Sequence, residues 1–247
     1  MKKLILKLLV AFVMLPSVVA GSMYWLNEKG FFNVNQVEII LEDSQSQVNF
    51  YSPMVEKLEK QMRAFKGQSL WALKLTQVTA ILNSQNWIET HSLSRSWPSV
   101  LKVKIKPHDI KLVYLGKGGK YLPIITDGSF LESVDSKQAP DVILLEGEVF
   151  AQKKELRQKA VEVLKEIPAE GTFSKKTISE MHYDSKDGFS MVLMKTGIQV
   201  KIGDDLVALK SARVSQVVDY LQTRQFDARV IDANLSKKVL VRLRNDP

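Results

Sequence analysis

Apolar and lysine side chains alternate without interruption in the segment LKVKIK, residues 101–106. A β-strand with this pattern has one apolar face and one face that carries three lysines. The pair Trp97-Pro98 precedes it, and the segment that begins at Trp87-Ile88 passes Leu93, Arg95 and Trp97 at every second position. Because proline interrupts a strand ladder, the pattern predicts two antiparallel strands joined at a corner.

Two helical patterns separate these strands from an earlier strand at 37–42. The pair Ser52-Pro53, which suits an N-cap followed by the first helical residue, predicts a helix that Gly67 ends. Thr76 is the predicted cap of a second helix. The order strand, helix, helix, strand, strand is that of a small α+β unit.

After residue 110 the pattern changes to short strands separated by turn residues. Two amphipathic segments, 153–167 and 206–223, interrupt them as predicted helices. This part of the chain is therefore predicted to be a β-rich antiparallel domain with two helices, which makes the chain α+β as a whole. The strands are expected at 111–115, 120–125, 178–183, 189–194, 197–202, 229–234 and 238–243.

An uncharged, mostly apolar run extends from Leu8 to Leu26, long enough for a helix that crosses the hydrocarbon layer. Lysines precede it, and Tyr24-Trp25 lies near its end, so residues 1–7 are expected in the cytoplasm and the remainder outside. A cleaved signal peptide with small residues before Gly21 is the alternative interpretation. Both interpretations place the body of the protein outside the cytoplasm.

Composition narrows the possible functions. The net charge is +8, but lysines of the first seven residues contribute to it and 27 acidic residues are present, so the charge does not indicate a nucleic-acid surface. The chain has no cysteine, which excludes disulfides and thiolate chemistry. His91, His108 and His182 are too scattered to suggest a metal pair.

Other candidates for chemistry have simpler interpretations. GKGGK at 116–120 lacks the spacing of a phosphate-binding loop and predicts a turn. The pair Asp204-Asp205 suits the start of a helix better than acid–base catalysis. Trp71, Trp87 and Trp97 are expected to face the core of the α+β unit rather than to stack nucleobases. We therefore expect no catalytic, cofactor-binding or metal-binding residue, and no nucleic acid or small-molecule substrate.

Several motifs, in order along nearly the whole chain, resemble the FtsQ/DivIB family of bacterial cell-division proteins. They are Gly67 with the apolar residues after it, NWI at 86–88, LSRSWPSVLKV at 93–103, TDGSF at 126–130, PDVILLEG at 140–147 and RVIDANLSKKVLVRL at 229–243.

The resemblance implies a domain order. The expected parts are a cytoplasmic tail at 1–7, a transmembrane helix at 8–26, a POTRA domain at 31–108 and a β domain at 109–247. In the POTRA domain, Trp97 is expected in the seam between strands and helices. The residues expected to have structural roles there are Gly67, Trp87, Arg95, Trp97, Pro98 and Leu101.

The resemblance also implies a non-enzymatic function. The protein would be a single-pass, type II inner-membrane protein at the division septum, with its C-terminal bulk in the periplasm. It would bind FtsB- and FtsL-like proteins and other divisome components, link early and late division proteins, and help regulate septal peptidoglycan synthesis. An exported POTRA-type chaperone for envelope proteins is the alternative, although several POTRA modules or a barrel would then be expected. An exported enzyme is disfavoured because no catalytic motif is found.

The closing strand is the predicted partner-binding site, because an edge strand can add a strand from a partner. The sequence departs from the family pattern at Pro107, at Leu235, at the turn residues Lys237-Lys238 and at Leu243, so contacts through the backbone are expected to matter most. The predicted partner-binding residues are Leu235, Lys237, Lys238, Val239, Leu240, Val241, Arg242, Leu243 and Arg244.

Overall fold

The computed structural model describes residues 2–42, 47–235 and 238–244, and for residues 2–11 and 13 it describes only the backbone. The chain divides into two compact units, Met1–Pro107 and His108–Pro247. The first begins with helix α1, Lys2–Glu28, which contains Pro16. Among the residues whose side chains are described, no helix is long and apolar enough to cross a bilayer. The predicted anchor at 8–26 begins among residues of which only the backbone is described, and it stays a prediction.

The rest of the first unit is a three-stranded sheet with two helices. Its elements are β1 (Gln36–Leu41), α2 (Val48–Met62) with a 3₁₀ turn (Arg63–Phe65), α3 (Leu75–Asn83), β2 (Ile88–Ser96) and β3 (Val100–Pro107). The strand order is β1-β3-β2, with β1 parallel and β2 antiparallel to β3. The helix, strand and corner order is the one that the sequence pattern predicts.

The alternation along β3 separates two environments. Leu101, Val103 and Ile105 are fully buried, as expected for the apolar face of a strand that lies against helices. The lysine face carries ion pairs with the neighbouring strands. The pairs are Lys102 with Glu38 at 3.6 Å, Lys104 with Glu42 at 3.3 Å and Lys106 with Glu89 at 3.2 Å.

The expectation that all three tryptophans face the core is wrong for Trp71 and Trp97. Trp87 is 4% exposed and stacks on Tyr51 at 5.7 Å, but Trp71 and Trp97 are 55% and 48% exposed. Phe32 and Leu70, on segments that pair with each other, are buried at that end of the unit. The two indole rings therefore lie on the outside of this filled end and not in the seam.

The second unit is built on one sheet. Its elements are β4 (Leu112–Leu115), β5 (Tyr121–Ile124), β6 (Ile143–Glu146), α4 (Glu148–Gln152), α5 (Lys154–Glu166), β7 (Ile178–Asp184), β8 (Gly188–Leu193), β9 (Gln199–Lys201), α6 (Val207–Arg224), β10 (Ala228–Asp232) and β11 (Leu240–Leu243). The order of the eight described strands is β11-β10-β9-β8-β7-β6-β4-β5.

The sheet is mixed, which corrects the predicted antiparallel domain. Strands β4 and β6, β6 and β7, and β9 and β10 pair in parallel. Parallel neighbours need a crossover connection, and helices supply two of them. Helices α4 and α5 connect β6 to β7, and α6 connects β9 to β10. The short α4 and strand β6 were not predicted, so this unit has one more helix than expected in its described part.

The two faces of the sheet differ in polarity, as the rows of paired residues across its strands show. One row of registered residues, Leu145, Met181, Met191, Val200 and Ile231, is fully buried and belongs to one apolar core with residues of α5 and α6. The neighbouring row faces the opposite way because side chains alternate along each strand. It contains Glu146, His182, Ser190, Lys201, Asp232 and Leu240. One face is thus a core and the other is largely polar.

Candidate partner-binding edge

Strand β11 lies at one edge of the sheet, and the two edges differ. At the opposite edge, Tyr121 exchanges backbone hydrogen bonds of 2.9 and 2.8 Å with Val134, and Leu131 donates to Pro123 at 2.8 Å. The segment that follows β5 therefore covers that edge. In the part of the chain that the structure describes, no strand pairs with β11 on the side away from β10. An edge of this kind is a template for an added strand.

Side chains of β11 alternate between the core and solvent. Val239, Val241 and Leu243 are partly buried and pack against the apolar core of the second unit. Leu240 is 50% exposed and Arg242 is also exposed. The strand is therefore held to the domain by its valines while it presents a leucine and an arginine on the polar face.

Two backbone hydrogen bonds show to which side the backbone groups of β10 and β11 point. Ala233 donates to the carbonyl of Lys201 on β9 at 2.9 Å, so Ile231, two residues earlier, also faces β9. Val230 and Asp232 then face β11, where they are in register with Arg242 and Leu240. Arg244 donates to the carbonyl of Asp227 at 2.9 Å, which agrees with this alternation.

It follows that the amide and carbonyl of Val241 point away from β10, because successive residues of a strand direct their backbone groups to opposite sides. Val239 lies two residues before Val241, but it precedes the strand proper. The backbone of Val241 is therefore at the centre of the edge that a partner strand would meet.

Arg244 ties the end of the strand to the domain. Its guanidinium lies 3.0 Å from the carboxylate of Asp227 and donates to the carbonyl of Thr196 at 2.8 Å. Arg244 thus has structural partners of its own. Arg242 has the more accessible charge for a partner, since it is exposed on the polar face of the sheet.

A polar network holds Asn234, just beyond β10, in place. Asn234, two residues beyond β10, accepts a hydrogen bond from Lys210 Nζ at 3.1 Å and donates to the carbonyl of Asp187 at 3.1 Å. Lys210 is buried on α6, and its Nζ also donates to Asp205 at 2.6 Å. This hydrogen bond lowers the pKa of the Asp205 carboxyl. The network therefore ties the residue just beyond β10 to α6 and to the segment before β8.

A groove of about 690 Å³ runs along the polar face beside β11. Lys201, Arg229 and Arg242 supply positive charge to it and Asp232 supplies one carboxylate. Lys201 is bound by Asp187 at 2.5 Å, and that hydrogen bond raises the pKa of the Lys201 ammonium. Because Asp187 offsets the charge of Lys201, the basic character of the groove rests on Arg229 and Arg242, which outnumber the carboxylate of Asp232 and suit acidic side chains of a bound segment.

The predicted site residues fall into three groups. Val239 to Arg244 lie together in or beside β11, and Leu235 and Lys238 lie between β10 and β11. Lys237 lies outside the described residues. Sequence reasoning missed Lys201 and Arg229, because the parallel pairing that brings β9 beside β10 has no local signal.

The predicted structural residues lie in the first unit. Gly67 has φ +83°, a conformation that favours glycine. Arg95 is half-buried and donates to the carbonyls of Leu70 and Leu73, at 2.8 Å each, which ties β2 to the segment before α3. Pro98 follows Trp97 through a cis peptide bond.

One cluster on the polar face has the donor atoms of a metal site. Glu146, Glu180 and His182 each offer a ligand atom, and these atoms all lie within 4.8 Å of one another. His182 Nε2 is 3.3 Å from Glu180 and Nδ1 is 3.6 Å from Glu146. Imidazole with carboxylates would suit zinc. The same geometry is accounted for by a histidine placed between two carboxylates on neighbouring strands.

Comparison with known proteins adds independent information. Residues 113–234 match the family model "Cell division protein FtsQ/DivIB, C-terminal". The chain is 25% identical over 187 residues to the cell division protein FtsQ of Geobacter sp. (strain M21), 22% over 188 residues to that of Geotalea daltonii and 23% over 186 residues to that of Syntrophotalea carbinolica. These alignments cover 71%, 72% and 72% of this chain.

The family model and all three relatives are cell-division proteins, so this is the class of protein that the chain resembles. Within that class the similarity is to the FtsQ/DivIB family, and over residues 113–234 to its C-terminal domain, which confirms the resemblance seen in the motifs. The alignments span 66%, 66% and 64% of the length of these relatives, slightly less than two thirds.

Proposed function

We propose that this protein is a non-enzymatic scaffold of the division machinery that binds a partner by strand addition at β11. The observation that carries the proposal is the difference between the two edges of the sheet. The β5 edge is covered by the segment that follows it, whereas β11 has a described neighbour on one side only. Main-chain hydrogen bonds would supply affinity, and side chains along the edge would supply specificity.

The chemistry of the edge indicates the kind of partner segment. Val241 directs its amide and carbonyl outward, so an extended chain can form ladder hydrogen bonds there. Arg242, with Arg229 nearby in the same groove, favours acidic side chains beside those bonds. The family resemblance supports FtsB- and FtsL-like proteins as partners. Binding them would link early and late division proteins at the septum and help regulate septal peptidoglycan synthesis.

We also propose that α1 anchors the protein in the inner membrane with its bulk in the periplasm. The described part of α1 exposes large apolar side chains along its length, including Phe12, Leu15 and Val18. Exposed apolar surface of this extent requires a cover, and lysines before the apolar run favour a cytoplasmic N-terminus. The element order of the first unit supports a POTRA module at 31–108.

Two proline substitutions test the edge, at neighbouring residues whose amides point to opposite sides of β11. Val241→Pro removes an outward amide, so binding of an FtsB-like partner should be lost while the domain keeps its circular dichroism spectrum. Arg242→Pro removes an amide that bonds β10, so it should weaken the fold as well as binding. The comparison separates loss of an edge from loss of a strand.

A truncation supplies the decisive control. A chain that ends at residue 237 lacks β11 and should bind the partner at least 100-fold more weakly, the scale expected when strand pairing and its side-chain contacts are removed together, roughly 3 kcal/mol. Equal binding by the truncated and full chains would overturn the assignment of this interface.

A further inference from the structure

Three large aromatic side chains are exposed at one end of the first unit. Phe31, Trp71 and Trp97 are 49%, 55% and 48% exposed. The two indole rings lie 4.5 Å apart, and each is about 6 Å from the ring of Phe32, which is buried behind them and 5.2 Å from Phe31. We call these three exposed residues the aromatic patch.

The backbone brings the patch together from three separate segments. Leu70 donates to the carbonyl of Phe32 at 2.8 Å, which joins the segments of Phe31 and Trp71. Asn35 donates to the carbonyl of Ser99 at 2.9 Å, which joins the corner of Trp97 to the same end. The rings are thus held in place by backbone pairing and do not lie on a loose loop.

The patch adjoins the C-terminal end of α1. The amide of Phe31 donates to the carbonyl of Leu26 at 3.0 Å, and Ser69 Oγ lies 3.4 Å from Asn27 Oδ1 as a hydrogen-bond donor. The same end of the unit therefore carries both the last turn of the apolar helix and the aromatic patch. This continuity is what indicates the surface that covers the patch.

Residues around the patch have the character of a membrane interface. The last turns of α1 expose Tyr24 and Trp25, and Lys29 lies 5.9 Å from the Trp25 ring. Lys66 and Lys74 are exposed on the segments that flank Trp71. Tryptophan and tyrosine concentrate at the level of lipid headgroups, and lysines beside them attract anionic lipids.

We propose that the aromatic patch inserts into the headgroup region of the membrane in which α1 is anchored, so that the first unit rests on the lipid surface by this end. The inference depends on the proposed anchor. A lipid surface fits better than a protein partner because the patch continues the aromatic end of the helix and is accompanied by exposed lysines.

Single-tryptophan variants of the full chain test this in vesicles of phosphatidylethanolamine and phosphatidylglycerol with bromine on the acyl chains near the headgroup. In each variant three of Trp25, Trp71, Trp87 and Trp97 are replaced by phenylalanine, and circular dichroism verifies the fold. Trp71 and Trp97 should lose most of their fluorescence to the brominated lipid. Trp87, which is buried in the protein, should keep its emission and is the matched control.

The variants also separate this inference from the proposed anchor. Quenching of Trp25 without quenching of Trp71 and Trp97 would leave the anchor in place and overturn the patch. Absence of quenching at Trp25 would overturn the anchor and the patch together. Emission of Trp71 and Trp97 that shifts to shorter wavelength without quenching would show a protein cover, a partner or a second copy, and would also overturn the lipid contact.

Discussion

Lys210 on α6 and Asn234, just after β10, are joined by a 3.1 Å hydrogen bond across 24 positions of sequence. Lys210→Met should leave Asn234 without this buried partner and cost about 1–3 kcal/mol of unfolding free energy. Denaturant unfolding of the full chain measures it. Lys117→Met, at a side chain that is 91% exposed, should change stability by less than about 0.5 kcal/mol. Equal effects of the two substitutions would contradict a role for the buried network.

Charge reversal at Arg242 should weaken partner binding without loss of fold. Arg242→Glu places a carboxylate beside Asp232 and repels an acidic segment in the groove. The dissociation constant is expected to rise about tenfold, or roughly 1.4 kcal/mol, and the rise should shrink at high salt. Arg224→Glu, an equal charge change at the end of α6, is the control and should bind as the unmodified chain does. Equal weakening by both would mean that net charge, not this edge, attracts the partner.

Two tryptophans of the first unit should differ in their effect on stability. Trp87→Ala empties a buried site and should cost about 3–5 kcal/mol. Trp97→Ala removes a half-exposed ring from an aromatic cluster and should cost only about 1–2 kcal/mol. Thermal unfolding followed by circular dichroism distinguishes them, and a larger loss from Trp97→Ala would contradict the exposed placement of that ring.

The stability of the second unit should depend on the ionisation of Asp127. Partial burial acts to raise the pKa of this carboxyl, but hydrogen bonds from Lys154 and Ser129 outweigh it and lower the pKa from 3.8 to about 2. The carboxylate therefore contributes stability above pH 3.8, and this contribution is lost as the pH falls toward about 2.

Acid unfolding of two variants checks this window. Asp127→Asn should be less stable at neutral pH and should lack that part of the pH dependence. Lys154→Met should move the loss to higher pH, because the 2.9 Å hydrogen bond that stabilises the carboxylate is removed. Unchanged acid unfolding in both variants would contradict the role of this pair.

Local patterns predicted most elements of the fold, and the errors come from competing local hydrogen bonds or from tertiary packing. Alternation in LKVKIK gave strand β3 and both of its faces correctly. Ser52 was predicted to cap α2, but the helix begins at Val48, and Ser52 Oγ instead donates to the Val48 carbonyl at 3.1 Å. A residue that suits a cap can also satisfy its hydroxyl inside a helix.

The candidate edge was easier to predict than its surroundings. The segment that forms β11 has a local signal, because its valines alternate with exposed side chains. The contribution of Lys201 and Arg229 depends on β9 pairing in parallel with β10 after an intervening helix, and no neighbouring residue encodes that pairing. Trp97 was misplaced for the same reason, since burial at that end depends on Phe32, 65 positions earlier.

The covered β5 edge also sets the valency of the sheet. A sheet with two open edges can lengthen in both directions and join molecules into a chain of sheets. Here growth past β5 is blocked by the segment that follows it, so the proposed strand addition to this sheet would end after one partner had bound at β11. If two copies of the protein met through β11, the pair would be closed by two-fold symmetry and neither would retain an open edge on this sheet. Binding of a partner and association of two copies would then compete for the same β11 edge.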